Sequence, residues 1–175
     1  YGLHHSITDG DGLDEVIENV LRKNGNMVST VEKIRVGIQP GGMSPVEDMR
    51  TGGASYFFTR IRKLPTHGGG KRPGLYFKKR LLRRMDAITY RSDSYGKVVG
   101  DFVRRNRKVS LSDYKKLAKS GGSDETIFKY TVSLLDEIDV IQTSSARQRK
   151  QIIDIFKKRS ISRLPDGRKI EEVVL

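Results

Sequence analysis

Apolar positions recur along this chain in two rhythms, one suited to helices and one to strands. Leu13, Val16, Ile17, Val20 and Leu21 fall at three- and four-residue spacing, which predicts an amphipathic helix over 12–23. It opens at an acidic end and stops at Asn24-Gly25, as the helix dipole and C-terminal capping favour. A second helix is predicted over 144–158, with Ile152, Ile153 and Phe156 on its apolar side. A third is predicted over 110–119, capped by Ser110 or Ser112. Strand composition marks 1–6, 54–61 and 170–175. Residues 75–82 and 87–91 read as two strands, or as a strand and a short helix. Residues 26–36 are ambiguous, and 126–140 mixes both rhythms.

Turn chemistry punctuates these runs. Asp9-Gly10-Asp11-Gly12, Gly121-Gly122 and Leu164-Pro165-Asp166-Gly167 are turns. Gly41-Gly42 and Gly52-Gly53 bracket a loop-like stretch over 43–51, and 67–74 reads as a mobile, Gly-rich basic loop. There is no internal repeat, heptad pattern or low-complexity tail. Short strands mixed with two or three helices predict an α+β fold in one domain spanning 1–175. The chain begins at Tyr1 without Met and ends on Val173-Val174-Leu175. It therefore reads as a piece excised from a longer protein.

The chain has 175 residues, enough to bury a core, and a formal net charge of +13. That charge is concentrated. Residues 60–108 hold 16 Lys/Arg against Asp86, Asp93 and Asp101, so this segment carries the whole excess. Such a segment concentrates polyanions, of which nucleic acid is the commonest. No apolar run is long enough for a membrane span, so no membrane partner is expected. Cysteine is absent, which excludes disulfides, thiolate metal sites and Cys nucleophiles, and leans towards a cytoplasmic site of action.

Several chemistries lack their residues. Gly68-Gly69-Gly70-Lys71 has neither the spacing nor the Ser/Thr of a P-loop. Three histidines, two of them adjacent, make a histidine-built metal site a poor fit, and no metal is expected. On a strand, His4 and His5 point to opposite faces. In Tyr56-Phe57-Phe58 the same alternation buries Phe57 and turns Tyr56 and Phe58 the other way, where an aromatic can stack on a planar ligand. Glu171-Glu172 stands at the start of an apolar run, a place where a carboxylate faces solvent or a pocket.

Taken together, these pieces resemble the ADP-ribosyltransferase superfamily in its His-Tyr-Glu branch. That branch holds the diphtheria-toxin-like transferases, the poly(ADP-ribose) polymerases and bacterial toxins that modify DNA or RNA. Leu3-His4-His5-Ser6 followed by a helix looks like the family's aliphatic–aromatic–His–small opening, with His4 where an aromatic is usual. Gly52-Gly53-Ala54-Ser55-Tyr56-Phe57-Phe58 is similar to its Gly-x-x-Tyr-Phe strand. The stretch from Arg84 to Gly96 is reminiscent of its central strands. Ile170-Glu171-Glu172-Val173-Val174-Leu175 is similar to its late Glu-aliphatic strand, preceded by a turn where the target-recognition loop would lie.

The resemblance implies a single domain of two packed, mostly antiparallel sheets around an NAD cleft, with a few flanking helices. It implies an NAD-dependent mono-ADP-ribosyltransferase of the toxin or effector type, with NAD as co-substrate and an immunity protein as a further partner. On that match His5 would hydrogen-bond the NAD ribose, and Ser6 would offer backbone contacts to the nicotinamide amide. Tyr56 or Tyr76 would stack on the nicotinamide. Glu172, or its neighbour Glu171, would be the catalytic carboxylate. Arg35, Arg50 and Arg60 are candidates for the pyrophosphate. Residue types suit the chemistry: cleaving the N-glycosidic bond builds positive charge on the ribose, which a carboxylate stabilises. Ile170 stands two before Glu172, a departure from the Glu-x-Glu or Gln-x-Glu pair of the arginine-modifying toxins. The basic segment makes a nucleic-acid acceptor the first expectation and a protein acceptor the second. Two rival readings remain: a non-catalytic basic nucleic-acid-binding module with Tyr76, Phe77, Tyr90, Tyr95 and Phe102 interleaved, and an NAD-dependent tRNA 2′-phosphotransferase.

Overall fold

The computed structural model describes residues 1–7, 12–37, 45–66, 73–90, 116 and 124–175. Most of the expected turn over 9–12, most of the Gly-rich loop over 67–74, nearly all of the helix over 110–119 and the Gly121-Gly122 turn lie outside the described residues, as does 91–108 of the basic segment. The architecture is mixed α and β with two antiparallel sheets.

The chain opens with β1 (Gly2–Ser6), α1 (Leu13–Arg22), β2 (Asn26–Val28) and α2 (Thr30–Arg35). The ambiguous stretch over 26–36 is thus a short strand and a short helix. α3 (Pro45–Thr51) follows, where a loop was expected, and a 3₁₀ turn (Gly53–Ser55) leads into β3 (Tyr56–Arg62). β4 (Gly74–Phe77) passes through a 3₁₀ turn (Lys79–Arg83) to β5 (Ile88–Tyr90). The mixed stretch resolves into β6 (Glu125–Lys129), β7 (Thr131–Ser133), α4 (Leu134–Glu137) and β8 (Ile138–Gln142). α5 (Ala146–Lys158) and α6 (Ile170–Val173) close the chain. The strand expected over 170–175 is therefore one turn of helix, after which Val174 alone bridges Ile141 in parallel. Apolar spacing over so short a run does not distinguish a helical turn from a strand.

The large sheet has the order β5-β6-β3-β1-β4-β8, and β2 pairs with β7 as a separate ribbon. The expected pair of packed sheets is thus one six-stranded sheet with a two-stranded companion. Register sorts its side chains. Leu3 stands opposite Ile61 on one side and Phe77 on the other, while His4 stands opposite Arg60 and Tyr76. Leu3, Phe57, Ile61, Leu75, Phe77, Phe128 and Ile141 join the main core with Leu13, Ile17 and Val20 of α1 and Ile152 and Phe156 of α5. Phe77, Phe128 and Phe156 are fully buried, each contributing about 2–3 kcal/mol of transfer free energy. On the same side Thr59 Oγ1 donates to the Thr126 carbonyl at 2.8 Å, and the Thr126 and Thr89 hydroxyls bond at 3.0 Å. These threonines tie β3, β6 and β5 together across the strands.

Local chemistry sets the element ends. α1 stops because Gly25, at φ 77°, donates its N–H to the Val20 carbonyl at 2.9 Å. α5 starts at Ser145, whose hydroxyl accepts the Gln148 N–H at 3.2 Å.

Candidate functional site

The sheet's second face differs in character from the core face. Following the register, His4 lies between Arg60 of β3 and Tyr76 of β4. Phe58 pairs with Ile127, which pairs with Ile88. One residue beyond the last paired threonines of β3 and β6 stand Arg60 and Glu125. Alternation puts Glu125, Ile127 and Lys129 on the same face as Phe58, Arg60, His4 and Tyr76. Tyr56, Phe58 and Ile88 pack around the fully buried Ile127 as a small separate cluster. One face therefore collects an imidazole, a guanidinium, a phenol and a carboxylate from four adjacent strands, β4, β1, β3 and β6.

The geometry within this group is close. The His4 and Tyr76 rings lie 4.5 Å apart. The Tyr76 hydroxyl donates to Gln142 Oε1 at 3.2 Å, and burial raises its phenol above its ordinary value. Tyr76 is thus a neutral donor at physiological pH. Ser6 Oγ lies 3.5 Å from His4 Nδ1. His4 and Glu125 are both buried. Gly74 permits this packing: a Cβ there would run into His4 Nε2 and sit 2.7 Å from the His5 carbonyl oxygen. β4 approaches β1 only because residue 74 has no side chain.

Asp124 fixes where Glu125 stands. Its carboxylate is fully buried. It accepts the Ile61 N–H at 2.7 Å and Arg62 Nη1 at 2.8 Å. This side chain takes the place of a backbone partner for β3 just where β6 begins, so it sets the start and register of the strand that carries Glu125.

The predicted residues separate accordingly. His5 lies on the core side. Its ring is 4.5 Å from the Phe57 ring, and its Nδ1 lies 2.8 Å from the Phe58 carbonyl. Burial pushes its imidazole down to about 4, outweighing the Phe58 carbonyl, which favours the protonated form. His5 is thus neutral at pH 7 and packs beside the core, and His4, not His5, lies on the face with Arg60 and Tyr76. Ser6 is exposed at the end of β1, and Tyr56 is half-buried at the start of β3. Tyr76, rather than Tyr56, lies against the His4 ring. Arg60 is on the candidate face. Arg35 is not: it is exposed on α2 and paired with Glu32 at 2.7 Å. Arg50, on α3, is exposed and paired with Glu47.

Glu172 is not brought to this face. It is exposed, and its carboxylate accepts the Lys169 N–H at 2.8 Å, closing the first turn of α6. Glu171 is exposed and pairs with Lys157 at 3.1 Å. Their segment joins the sheet through Val174 beside Ile141 of β8, and β4 separates β8 from β1. That is three strand spacings of about 4.8 Å from His4's strand, on the side away from β6. Glu125, the carboxylate on this face, was not among the residues singled out in the sequence. Asp124-Glu125-Thr126-Ile127-Phe128 carries the same acid-then-apolar signal as 171–175, and only strand pairing decides between them.

Half of the basic segment's 16 cations lie among the described residues, and several have structural work. Lys78 pairs with Asp166, Arg80 with Glu137, Arg84 with Asp86 and Arg62 with Asp124. Among the described residues no group of three or more His, Cys, Asp or Glu is placed to hold a metal ion. Among them, too, no helix is long and apolar enough to cross a membrane. Comparison of the chain with protein-family models, with curated proteins and with solved structures returns no match, so the site rests on its own geometry.

Proposed function

We propose that this chain is an NAD-dependent ADP-ribosyltransferase whose working residues are His4, Tyr76 and Glu125, with a nucleic acid as the favoured acceptor. The observation that carries the reading is the shared face of β4, β1, β3 and β6, where His4, Tyr76, Arg60 and Glu125 converge. NAD supplies the bond to be broken, between nicotinamide and ribose. Each residue type fits one part of that dinucleotide. Tyr76, 7% exposed, offers a phenol whose hydroxyl is already held by Gln142. His4, fixed between Tyr76 and Arg60, orients a ribose hydroxyl. Arg60 carries the charge that a pyrophosphate needs. Glu125 stabilises the positive charge that grows on the ribose as nicotinamide leaves, and does so more strongly for being buried. His5 and Glu172, the residues first suggested by the resemblance, act as a core residue and a helix cap in this scheme.

The test is label transfer from adenylate-labelled NAD to DNA, RNA and a cell lysate offered separately. The parent chain and Glu172→Gln label one pool, and Glu125→Gln labels it at least 100-fold more slowly. Equal labelling by Glu125→Gln refutes the assignment. Absence of both label and nicotinamide release refutes the transferase and leaves the basic binding module.

A further inference from the structure

The connection between β6 and β7 holds a feature that the proposed chemistry does not use. Tyr130 has φ 63°, a left-handed conformation that is costly for a side chain of this bulk and usually given to Gly or Asn. The residue is nonetheless 44% exposed, so burial in the core does not explain it. The backbone around it is clamped from four directions. Tyr130 N–H donates to the Ser55 carbonyl at 2.8 Å, and its carbonyl accepts the Ser29 N–H at 2.8 Å. Asp86 accepts the Lys129 N–H at 2.9 Å. Arg84 donates to the Thr131 carbonyl at 2.7 Å and the Lys129 carbonyl at 3.3 Å, and is itself held by Asp86 at 2.6 Å. Five backbone polar groups over three residues are thus satisfied by distant partners. Strain persists where surroundings over-determine it, and it gathers at working positions. Here the outcome of the clamping is an aromatic ring held out to solvent.

The neighbouring charge indicates what the ring meets. Lys129 Nζ lies 5.1 Å from the Tyr130 ring centroid. Lys129 also belongs to the face that carries Glu125, four residues along β6, roughly 14 Å away at 3.4 Å per residue. The chain carries +13 overall. An exposed ring beside an ammonium group suits an unpaired nucleobase and its phosphate: the base stacks and the phosphate meets the cation.

We infer that the Lys129–Tyr130 turn docks one unpaired base of a single-stranded nucleic acid, with Tyr130 stacking on the base and Lys129 contacting the adjoining phosphate. As a statement about where the acceptor enters, this rests on the transferase reading. As a binding site it is tested without NAD, so the two fail separately. The probe is a fluorescein-labelled 12-nucleotide single strand, as RNA and as DNA, with a duplex of the same sequence, followed by anisotropy at several salt concentrations. The parent chain binds a single strand more tightly than the duplex. Tyr130→Phe keeps the ring and binds as the parent does. Tyr130→Gly loses at least fivefold in affinity, the factor expected for one lost base–aromatic stack. Lys129→Met lowers the salt slope by about one. Because Gly adopts positive φ freely, Tyr130→Gly also raises Tm by about 2–5 °C. The inference is overturned by parent-like binding of Tyr130→Gly, by loss of binding in Tyr130→Phe, or by no single-strand binding in the parent. A Tm that falls on Tyr130→Gly overturns it as well, since the ring would then be a structural anchor.

Discussion

Replacing Asp124 tests how the candidate carboxylate is positioned. Asp124→Ala removes a fully buried acceptor from the Ile61 N–H and from Arg62. The orphaned N–H costs about 1–3 kcal/mol. The Arg62 side chain is 28% exposed, so water largely replaces its lost partner, and that loss adds about 1 kcal/mol. The expected total is about 3 kcal/mol. Asp124→Asn keeps an oxygen for the Ile61 N–H and gives up only the charge, so about half that loss is expected. Urea unfolding followed by circular dichroism measures both. With an m-value of about 2 kcal/mol/M, Asp124→Ala lowers the midpoint by about 1.5 M. At temperatures where both chains are folded, Asp124→Ala also slows label transfer, because the start of β6 carries Glu125. A midpoint shift below about 0.3 M refutes the reasoning, since a fully buried carboxylate with two donors cannot then be holding the strand.

Two further predictions concern the strand that carries both histidines. His5 has an imidazole pushed down to about 4 by burial, so the unfolded chain, whose His titrates near 6.5, binds the extra proton as pH falls. Its contribution is complete above pH 6.5 and is lost between pH 6.5 and 4. The loss is about 2 kcal/mol once screening of its partly exposed ring is allowed for. His5→Gln, compared with the parent by urea unfolding at pH 7 and pH 4.5, shows the smaller drop; equal drops refute the assignment. Gly74→Ala drives a methyl into His4 and the β1 backbone, costing about 1–3 kcal/mol. It lowers transferase activity beyond what lost stability explains, as measured by single-turnover nicotinamide release on folded protein, and unchanged turnover refutes the role of His4.

What the sequence determined by itself is local. The helix over 12–23 is legible because five apolar residues repeat at helical spacing and a glycine follows to end it. The helix over 144–158 is legible from Ile152, Ile153 and Phe156, and the strand through Tyr56-Phe57-Phe58 from its alternation, which buries Phe57 as expected. Adjacent histidines on a strand were bound to face opposite ways. Which of them faces the candidate site was not contained in that alternation. It depends on which side of β1 the α1 and α5 helices cover, and that follows from the whole core. Glu125 and Glu172 pose the same problem in a sharper form. Glu172 directly precedes apolar residues and Glu125 does so one residue later, after Thr126, too small a difference to separate them. Pairing β6 to β3 sets Glu125 beside Arg60, while the turn of α6 spends Glu172 on a backbone N–H at the opposite edge of the sheet. Apolar spacing fixes which side of an element is buried, but strand order, which is a balance of long-range pairings, decides which carboxylate shares a face with which imidazole.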